Sequence, residues 1–183
     1  MAPHGKHQAM QHGMPLGRSI GRTGKFVRAW GDRELADLGS SVTEWIVLRN
    51  IVIAPEPGAS QAQIARFSDM GGPALVRHLD RLEADGLVMR TRDSADRRTI
   101  RLRLTPAGHA HFDAIRAVME RCDSELRALL ADDEADVMQR ALDTLFAFCL
   151  HELYGEVAFD AGPRLAPDPE PPNPPTSRAR RTR

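Results

Sequence analysis

Apolar residues recur at every third or fourth position over most of this chain, which is the period of an amphipathic α-helix. Six stretches follow this period and predict six helices. They cover approximately residues 16–38, 42–53, 61–67, 73–85, 105–130 and 133–154. Between the fourth and fifth stretches the pattern changes to strict alternation. The sequence therefore predicts one β element inside a mainly helical chain.

The alternating region consists of two runs, LVMRTR at 87–92 and TIRLRL at 99–104, on either side of the polar segment DSADRR. Alternation of apolar and charged residues is typical of a β-hairpin with one face in water. Thr105 and Pro106 then offer a helix N-cap followed by a proline at the first helical position. We expect the second strand to lead directly into the fifth helix.

Local signals mark the helices that precede the hairpin. Ser41 or Thr43 offers an N-cap for the second helix, and Ser60 and Gln63 have the spacing of a capping box for the third. A glycine pair then predicts a turn before Pro73, where the fourth helix begins. Two short helices joined by such a turn and followed by a hairpin are typical of a winged helix-turn-helix. In that motif the second helix enters the DNA major groove, and the hairpin, or wing, reaches the flanking backbone or minor groove.

The fifth and sixth helices carry more apolar surface than a lone small domain can cover. Together with the first helix they predict a homodimer interface, and a two-fold dimer suits a palindromic DNA site. The predicted fold class is mainly α with a small antiparallel β-wing: a winged helix-turn-helix plus a helical dimerisation domain. The predicted divisions are a disordered arm at 1–15, a dimerisation helix at 16–40, the DNA-binding domain at 41–104, further dimerisation helices at 105–156 and a disordered Pro/Arg-rich tail at 161–183.

The bulk properties narrow the class of protein. A chain of 183 residues is long enough for one domain of ordinary size with its own core. It contains no long apolar run and no apolar signal-peptide centre, so we expect a cytoplasmic, nucleoid-associated protein without membrane contact. Cys122 and Cys149 lie in apolar helical patterns and are predicted to be reduced packing residues. No cofactor or metal site is expected, because the histidines lack chelating spacing.

The net charge of zero conceals a segregation of charge along the chain. Residues 60–104 contain nine arginines against six acidic residues, whereas residues 105–160 contain four arginines against twelve acidic residues. Six of these arginines lie in the hairpin. Such a layout suits a protein that presents one face to phosphate, although acidic helices are equally typical of a solvated surface.

Several segments in their order resemble the MarR family of bacterial transcription regulators. The resemblance covers roughly residues 16 to 154. Its strongest part is Asp96-Arg97-Arg98 leading into Thr105-Pro106-Ala107-Gly108. The other segments that carry it are Thr43-Glu44-Trp45, Gln63-Ile64-Ala65, Leu79-Asp80-Arg81-Leu82-Glu83 and Gly86-Leu87-Val88.

The resemblance implies a homodimer that represses or activates promoters, with repression expected here, and that small aromatic or anionic molecules release from double-stranded DNA. It also implies that Arg98 enters the minor groove, with Asp96 orienting it and Arg97 contacting phosphate. A guanidinium held by a carboxylate at a hairpin tip would be preorganised for a narrow, negative groove. The alternative is that Asp96 merely closes the turn.

The fourth helix departs from the family pattern, which usually has polar residues at its start. Here the start is Gly-Pro-Ala-Leu-Val, which offers few side-chain hydrogen bonds to base edges. We expect readout through apolar contact with thymine methyls, through arginine and through DNA shape. The residues predicted to contact DNA outside the wing are Pro73, Ala74, Val76, Arg77, Arg81, Ser60 and Gln61.

His78 replaces the aliphatic residue that is usual in the family at this position. One interpretation is a histidine at the edge of the core. The other is that His78, with Arg22, Lys25 and Trp45, lines an effector cavity and recognises an anionic ligand.

Two further functions remain as alternatives. A cysteine redox sensor is disfavoured because no cysteine precedes Cys122, and a helical protein–protein interaction module would have no need of the cationic wing. An enzyme is not expected, because the sequence has no phosphate loop, nucleophile elbow or clustered acid–base pair.

Overall fold

The structure is a computed structural model that describes residues 15–68, 70–94 and 96–155. In these residues the chain forms six α-helices, a short 3₁₀ turn and a three-stranded antiparallel sheet, which confirms the predicted fold class. The elements are α1 (Leu16–Glu34), a 3₁₀ turn (Ala36–Leu38), α2 (Val42–Val52), β1 (Ala59–Ser60), α3 (Gln61–Phe67), α4 (Gly72–Ala84), β2 (Val88–Arg92), β3 (Ile100–Leu104), α5 (Pro106–Arg127) and α6 (Asp132–Tyr154). The predicted N-terminal arm and C-terminal tail lie outside the described residues, apart from Pro15.

The sheet contains the predicted hairpin and one strand that the sequence pattern did not predict. β2 and β3 pair in antiparallel register, with Val88 opposite Leu104 and Arg92 opposite Ile100. β1 adds a third, two-residue strand on the other side of β3. A two-residue strand is too short to show alternation, so only the partner strand reveals it.

Side-chain caps fix where three helices begin. Ser41, not Thr43, caps α2, since its hydroxyl accepts a hydrogen bond from the Glu44 amide at 3.2 Å. Ser60 and Gln63 form the predicted capping box of α3. Thr105 caps α5, as predicted. These local bonds satisfy amides that the first helical turn leaves without partners.

The first helix is shorter than predicted. α1 ends at Glu34, and the stretch to Leu38 forms a tighter 3₁₀ turn that closes on Gly39 at φ 63°. The three glycines in α1 did not prevent helix formation from Leu16 onward. Glycine lowers helix propensity but does not block the helical conformation.

The core lies where α2, α3, α4, α5 and the sheet meet. Its largest fully buried side chains come from every one of these elements, which is why α2, α3, α4, the sheet and the start of α5 form one packed body. They are Leu35, Val47, Leu48, Ile64, Leu75, Leu79, Leu82, Leu102, Phe112 and Ile115.

Two helices leave apolar faces in water. In α6, Ala135 is the only buried residue among those whose side chains the structure describes. Phe146 and Phe148 of α6 are 52% and 62% exposed, and Phe26 of α1 is 66% exposed. Helix faces that expose several large apolar side chains together are uncommon on a monomeric surface. Within the described residues, none of the helices has the length and apolarity that crossing a membrane requires.

Gly108 permits a close approach between two backbone segments. A Cβ atom at this position would lie 1.9 Å from the carbonyl oxygen of Leu87, at the base of the wing. The same carbonyl accepts a hydrogen bond from the Thr105 amide at 3.0 Å. The base of the wing and the first turn of α5 therefore touch through backbone atoms.

We expect Gly108→Ala to lower the free energy of unfolding by about 3 kcal/mol, because backbone atoms would have to separate to admit the methyl group. Urea unfolding at matched protein concentration measures this change. Gly24→Ala in α1 is the control, since its Cβ would meet nothing within 4 Å. Equal stability of the two variants would contradict the close approach.

Candidate nucleic-acid interface

Arg90 of β2 fastens the wing to α4. Its guanidinium donates to Asp80 at 2.6 Å and to Glu83 at 2.9 Å. Both carboxylates lie on one face of α4, three residues apart along the helix. The ion pairs therefore set the angle between the fourth helix and the wing, and Arg90 is occupied within the protein.

Two arginines of β3 hold the sheet to the loop before β1. Arg101 donates to Asp93 at 2.6 Å and to the carbonyl of Gly58 at 3.2 Å. Arg103 bonds to Glu56 and to a backbone carbonyl of the same loop. Since Asp93 is only 6% exposed, the Arg101 contact also compensates a buried charge. Half of the hairpin arginines are thus bonded within the fold.

The other three hairpin arginines lie at the wing tip. Arg92, Arg97 and Arg98 are exposed, and the described residues provide none of them with an ion pair. Three guanidinium groups therefore form a cationic tip that is open to a ligand outside the fold. We call these three residues the wing-tip arginines.

Asp96 orients Arg98 differently from the prediction. Its carboxylate accepts from the backbone amide of Arg98 at 3.0 Å and from the hydroxyl of Thr99 at 2.8 Å, and it makes no ion pair with a guanidinium among the described residues. The expected carboxylate–guanidinium contact is therefore not what places Arg98. Asp96 instead shapes the turn, because a short acidic side chain readily accepts from amides two or three residues on.

The fourth helix presents the predicted face. Leu75, Leu79 and Leu82 are buried, whereas Pro73, Val76 and Arg77 are exposed and Ala74 is half-buried. Pro73 lies in the first turn of α4, behind Gly71 as N-cap. The exposed face therefore combines small apolar groups with the Arg77 guanidinium.

Two of the three other predicted DNA contacts have roles inside the fold. Arg81 is bonded to Glu44 of α2, so its guanidinium is directed toward the protein. The Ser60 hydroxyl accepts from the Gln63 amide as the cap of α3. Gln61 begins α3 and is half-buried. Among the described residues, Gln61 is the one of these three whose side chain has no bonding partner within the fold.

A buried carboxylate at Glu44 gathers side chains from three parts of the chain. Glu44 is 3% exposed, and its Oε1 atom lies 2.8 Å from Nε2 of His111 and 3.1 Å from the Ser40 hydroxyl. Its Oε2 atom bonds Arg81 and lies 3.9 Å from Nε2 of His78. We call Glu44, His78, Arg81 and His111 the Glu44 cluster.

His78 lies at the edge of the core within this cluster. Burial, reinforced by the nearby Arg81 charge, holds the pKa of His78 below its usual value, and Glu44 offsets this only in part. The neutral imidazole is therefore favoured. One feature of the sequence indicates such a cluster: an acidic residue on the apolar side of α2 requires a buried cationic partner.

The predicted effector residues do not share one cavity. A cavity of about 440 Å³ lies between α1, α2 and α5 and includes Trp45, Trp30, Met119 and Cys122 in its lining. Arg22 lines a separate groove along α1, and neither His78 nor Lys25 lies in either lining. Of the four predicted effector residues, Trp45 thus lines the cavity, Arg22 lines the groove along α1, and His78 lies beside Glu44.

The two cysteines differ in environment, contrary to the common packing role predicted for them. Cys122 is buried beside the cavity, and burial raises the pKa of its thiol. Cys149 is exposed on α6. Both are free thiols.

Residues 38–99 match the sequence profile of the MarR family. The chain is also similar to the transcriptional repressor CouR bound to a 23-mer DNA duplex, with 30% identity and a TM-score of 0.65 over 72% of this chain and 92% of that one. A MarR family protein of Mycobacterium tuberculosis in complex with salicylic acid has 29% identity and a TM-score of 0.60, over 72% and 96% of the two chains. CouR of Rhodococcus jostii bound to p-coumaroyl-CoA has 25% identity and a TM-score of 0.62, over 71% and 90%.

We expect Arg101→Ala to destabilise the fold by about 2 kcal/mol, because it removes charge-assisted hydrogen bonds to a buried carboxylate and a carbonyl. Arg92→Ala removes the same charge from an exposed site and should change the free energy of unfolding by less than about 0.5 kcal/mol. Thermal and urea unfolding of both variants measure the difference. An Arg92→Ala effect as large as that of Arg101→Ala would refute the division of the hairpin arginines.

Proposed function

The chain belongs to the MarR family, and we propose that it is a homodimeric transcription regulator, most simply a repressor, that a small aromatic ligand releases from palindromic DNA. The observation that carries this proposal is a set of exposed guanidinium groups without ion pairs among the described residues: the wing-tip arginines and Arg77 of a winged helix-turn-helix. A protein of this function acts in the cytoplasm on the nucleoid and is not an enzyme.

Recognition divides between the wing and α4. Arg98 enters the minor groove, Arg97 contacts phosphate, and Asp96 holds the turn that presents both. Pro73, Ala74 and Val76 give α4 apolar contacts suited to thymine methyl groups, while Arg77 supplies the charged contact of the fourth helix.

Two predicted contacts change their place in this proposal. Arg81 does not belong to the DNA-contacting set, because its guanidinium is bonded to Glu44. Ser60 serves as a cap, and Gln61 at the first turn of α3 contacts the DNA backbone.

A second copy of the chain covers the apolar faces of α1 and α6. These faces expose phenylalanine and aliphatic side chains that a monomer would leave in water. A two-fold axis through them repeats α4 and the wing on the far side of the dimer, and this arrangement matches two half-sites of a palindrome.

The cavity between α1, α2 and α5 is the proposed effector site. Trp30 and Trp45 offer flat apolar surfaces for an aromatic ring, while the charged residues in its lining are Glu120 and Asp123. Because the lining formed by the described residues contains acidic side chains and no arginine or lysine, we propose an aromatic ligand without negative charge. The relatives in complex with salicylic acid and p-coumaroyl-CoA support the aromatic part of this proposal only, because both of those ligands carry negative charge.

Redox sensing is a weaker alternative. The attacking species in thiol oxidation is the thiolate, and burial raises the pKa of Cys122 and so disfavours it.

Selection of bound sites from random DNA is expected to recover a palindromic motif, and Arg98→Ala is expected to weaken binding to that motif about 10- to 100-fold at fixed salt. Arg97→Ala should weaken binding to all sequences and reduce the salt dependence by about one ion. Fluorescence anisotropy over a range of salt concentrations measures both effects.

Arg33→Ala is the matched control for this experiment, since Arg33 is an exposed arginine of α1 that pairs with the adjacent Glu34. Its affinity should equal that of the unmodified protein. Recovery of no motif, or equal losses for Arg98→Ala and Arg33→Ala, would count against the proposed function.

We expect salicylamide, a neutral aromatic amide, to quench tryptophan fluorescence in a saturable manner. Its affinity should be higher than that of salicylate, because the cavity lining contains acidic residues. Trp45→Leu should weaken salicylamide binding at least about fivefold. His78→Ala should leave it unchanged, since His78 does not line the cavity. Tighter binding of salicylate would contradict the proposed ligand class.

A further inference from the structure

The Glu44 cluster joins the DNA-reading helix to a helix that lines the proposed effector cavity. Glu44 lies on α2, its partners Arg81 and His78 lie on α4, and His111 lies on α5. Along α5, Met119 and Cys122 of the cavity lie eight and eleven residues beyond His111, or about 12 and 16 Å at 1.5 Å per residue. One carboxylate is therefore the shared polar contact of the three helices.

The contacts are divided between the two carboxylate oxygens. Oε1 is contacted by His111 and Ser40, whereas Oε2 is contacted by Arg81 and faced by His78. A carboxylate that is 3% exposed has lost its hydration and depends on these groups for compensation. The orientation of α4 is thus tied to whichever of its two basic side chains bonds Oε2.

We propose that Glu44 is a positioning residue for DNA binding, which holds α4 in its DNA-reading orientation through Arg81, and that protonation of His78 disrupts this contact. The inference rests on the proposed function, because the orientation of α4 matters only if α4 reads DNA.

The geometry explains why protonation acts against the contact. Nδ1 of His78 lies 3.5 Å from Nη2 of Arg81, and its Nε2 atom is buried without a hydrogen-bond partner among the described residues. In the neutral ring one nitrogen accepts, so the guanidinium is tolerated nearby. In the protonated ring both nitrogens donate. One N–H then faces the guanidinium, and the other competes with Arg81 for Oε2 of Glu44.

The direction of the pH effect follows from the charges. The ionisable groups that face His78 in the described chain are Arg81 of its own helix and Glu44 of α2, with His111 of α5 on the other carboxylate oxygen. Burial and Arg81 lower the pKa of His78, so the protonated form favours any arrangement that frees the ring. The DNA-reading arrangement is therefore fully populated above the ordinary pKa of about 6.5 and is lost as pH falls below it.

The experiment compares Glu44→Gln with Asp113→Asn in the full-length protein. Both remove one negative charge, but Asp113 is an exposed residue of α5 paired with Arg116 and lies outside the cluster. The DNA probes are the duplex recovered by selection with the unmodified protein and a random-sequence duplex. Glu44→Gln is expected to weaken binding to the selected duplex about tenfold, and Asp113→Asn is expected to leave it unchanged.

His78→Gln supplies the pH readout. Binding of the unmodified protein to the selected duplex should weaken about fivefold from pH 7.5 to pH 5.5, and His78→Gln should flatten this profile, because the amide does not titrate in this range. A variant that retains the acid-induced loss in full would overturn the role of His78. The pH profile of His78→Gln also tests the inference if Glu44→Gln folds poorly.

Hydrogen exchange tests the positioning role without DNA. Glu44→Gln should accelerate exchange of the α4 amides about tenfold while leaving those of the first half of α1 unchanged. Unchanged α4 exchange, or DNA affinity equal to that of Asp113→Asn, would overturn the inference. If the unmodified protein selects no duplex, the proposed function fails, and the exchange result still decides whether Glu44 holds α4.

Discussion

Hydrogen bonds from arginine to carboxylate and carbonyl oxygens are the interaction on which this winged helix depends. Arg90 joins β2 to α4, Arg101 and Arg103 join β3 to the loop before β1, and Arg81 joins α4 to α2. A planar guanidinium with five donors can serve two acceptors at once, which suits it to such junctions. The same residue type therefore builds the scaffold and supplies the charge that remains for DNA.

The sequence predicted those features that neighbouring residues determine. Helix periods, the hairpin and the caps at Ser41, Ser60 and Thr105 all arise within a few positions, and the structure confirms them. Pairings across the fold were not predictable in the same way. Arg101 meets Gly58 across 43 positions, and His111 meets Glu44 across 67, so no local pattern shows either contact.

In the candidate site too, the features set by neighbouring residues were predictable and those set by distant residues were not. Exposure of Pro73, Val76 and Arg77 followed from the apolar stripe of α4, which the period already indicated. The orientation of Arg81 did not follow, because it depends on a buried acid on another helix. The separation of Trp45 from His78 did not follow either, because sequence spacing gives no information on which tertiary neighbours each side chain meets.

The backbone contact at Gly108 gives the wing the geometry of a lever. Leu87 and Thr105 fix its base to α5, and about five residues of strand separate that base from the tip, or roughly 17 Å at 3.4 Å per residue. A rotation of α5 by about 10° therefore sweeps the tip through about 3 Å, if the hairpin moves as a rigid arm. That displacement equals the length of a hydrogen bond. A small rotation of α5 is thus enlarged at the wing tip, where the wing-tip arginines lie.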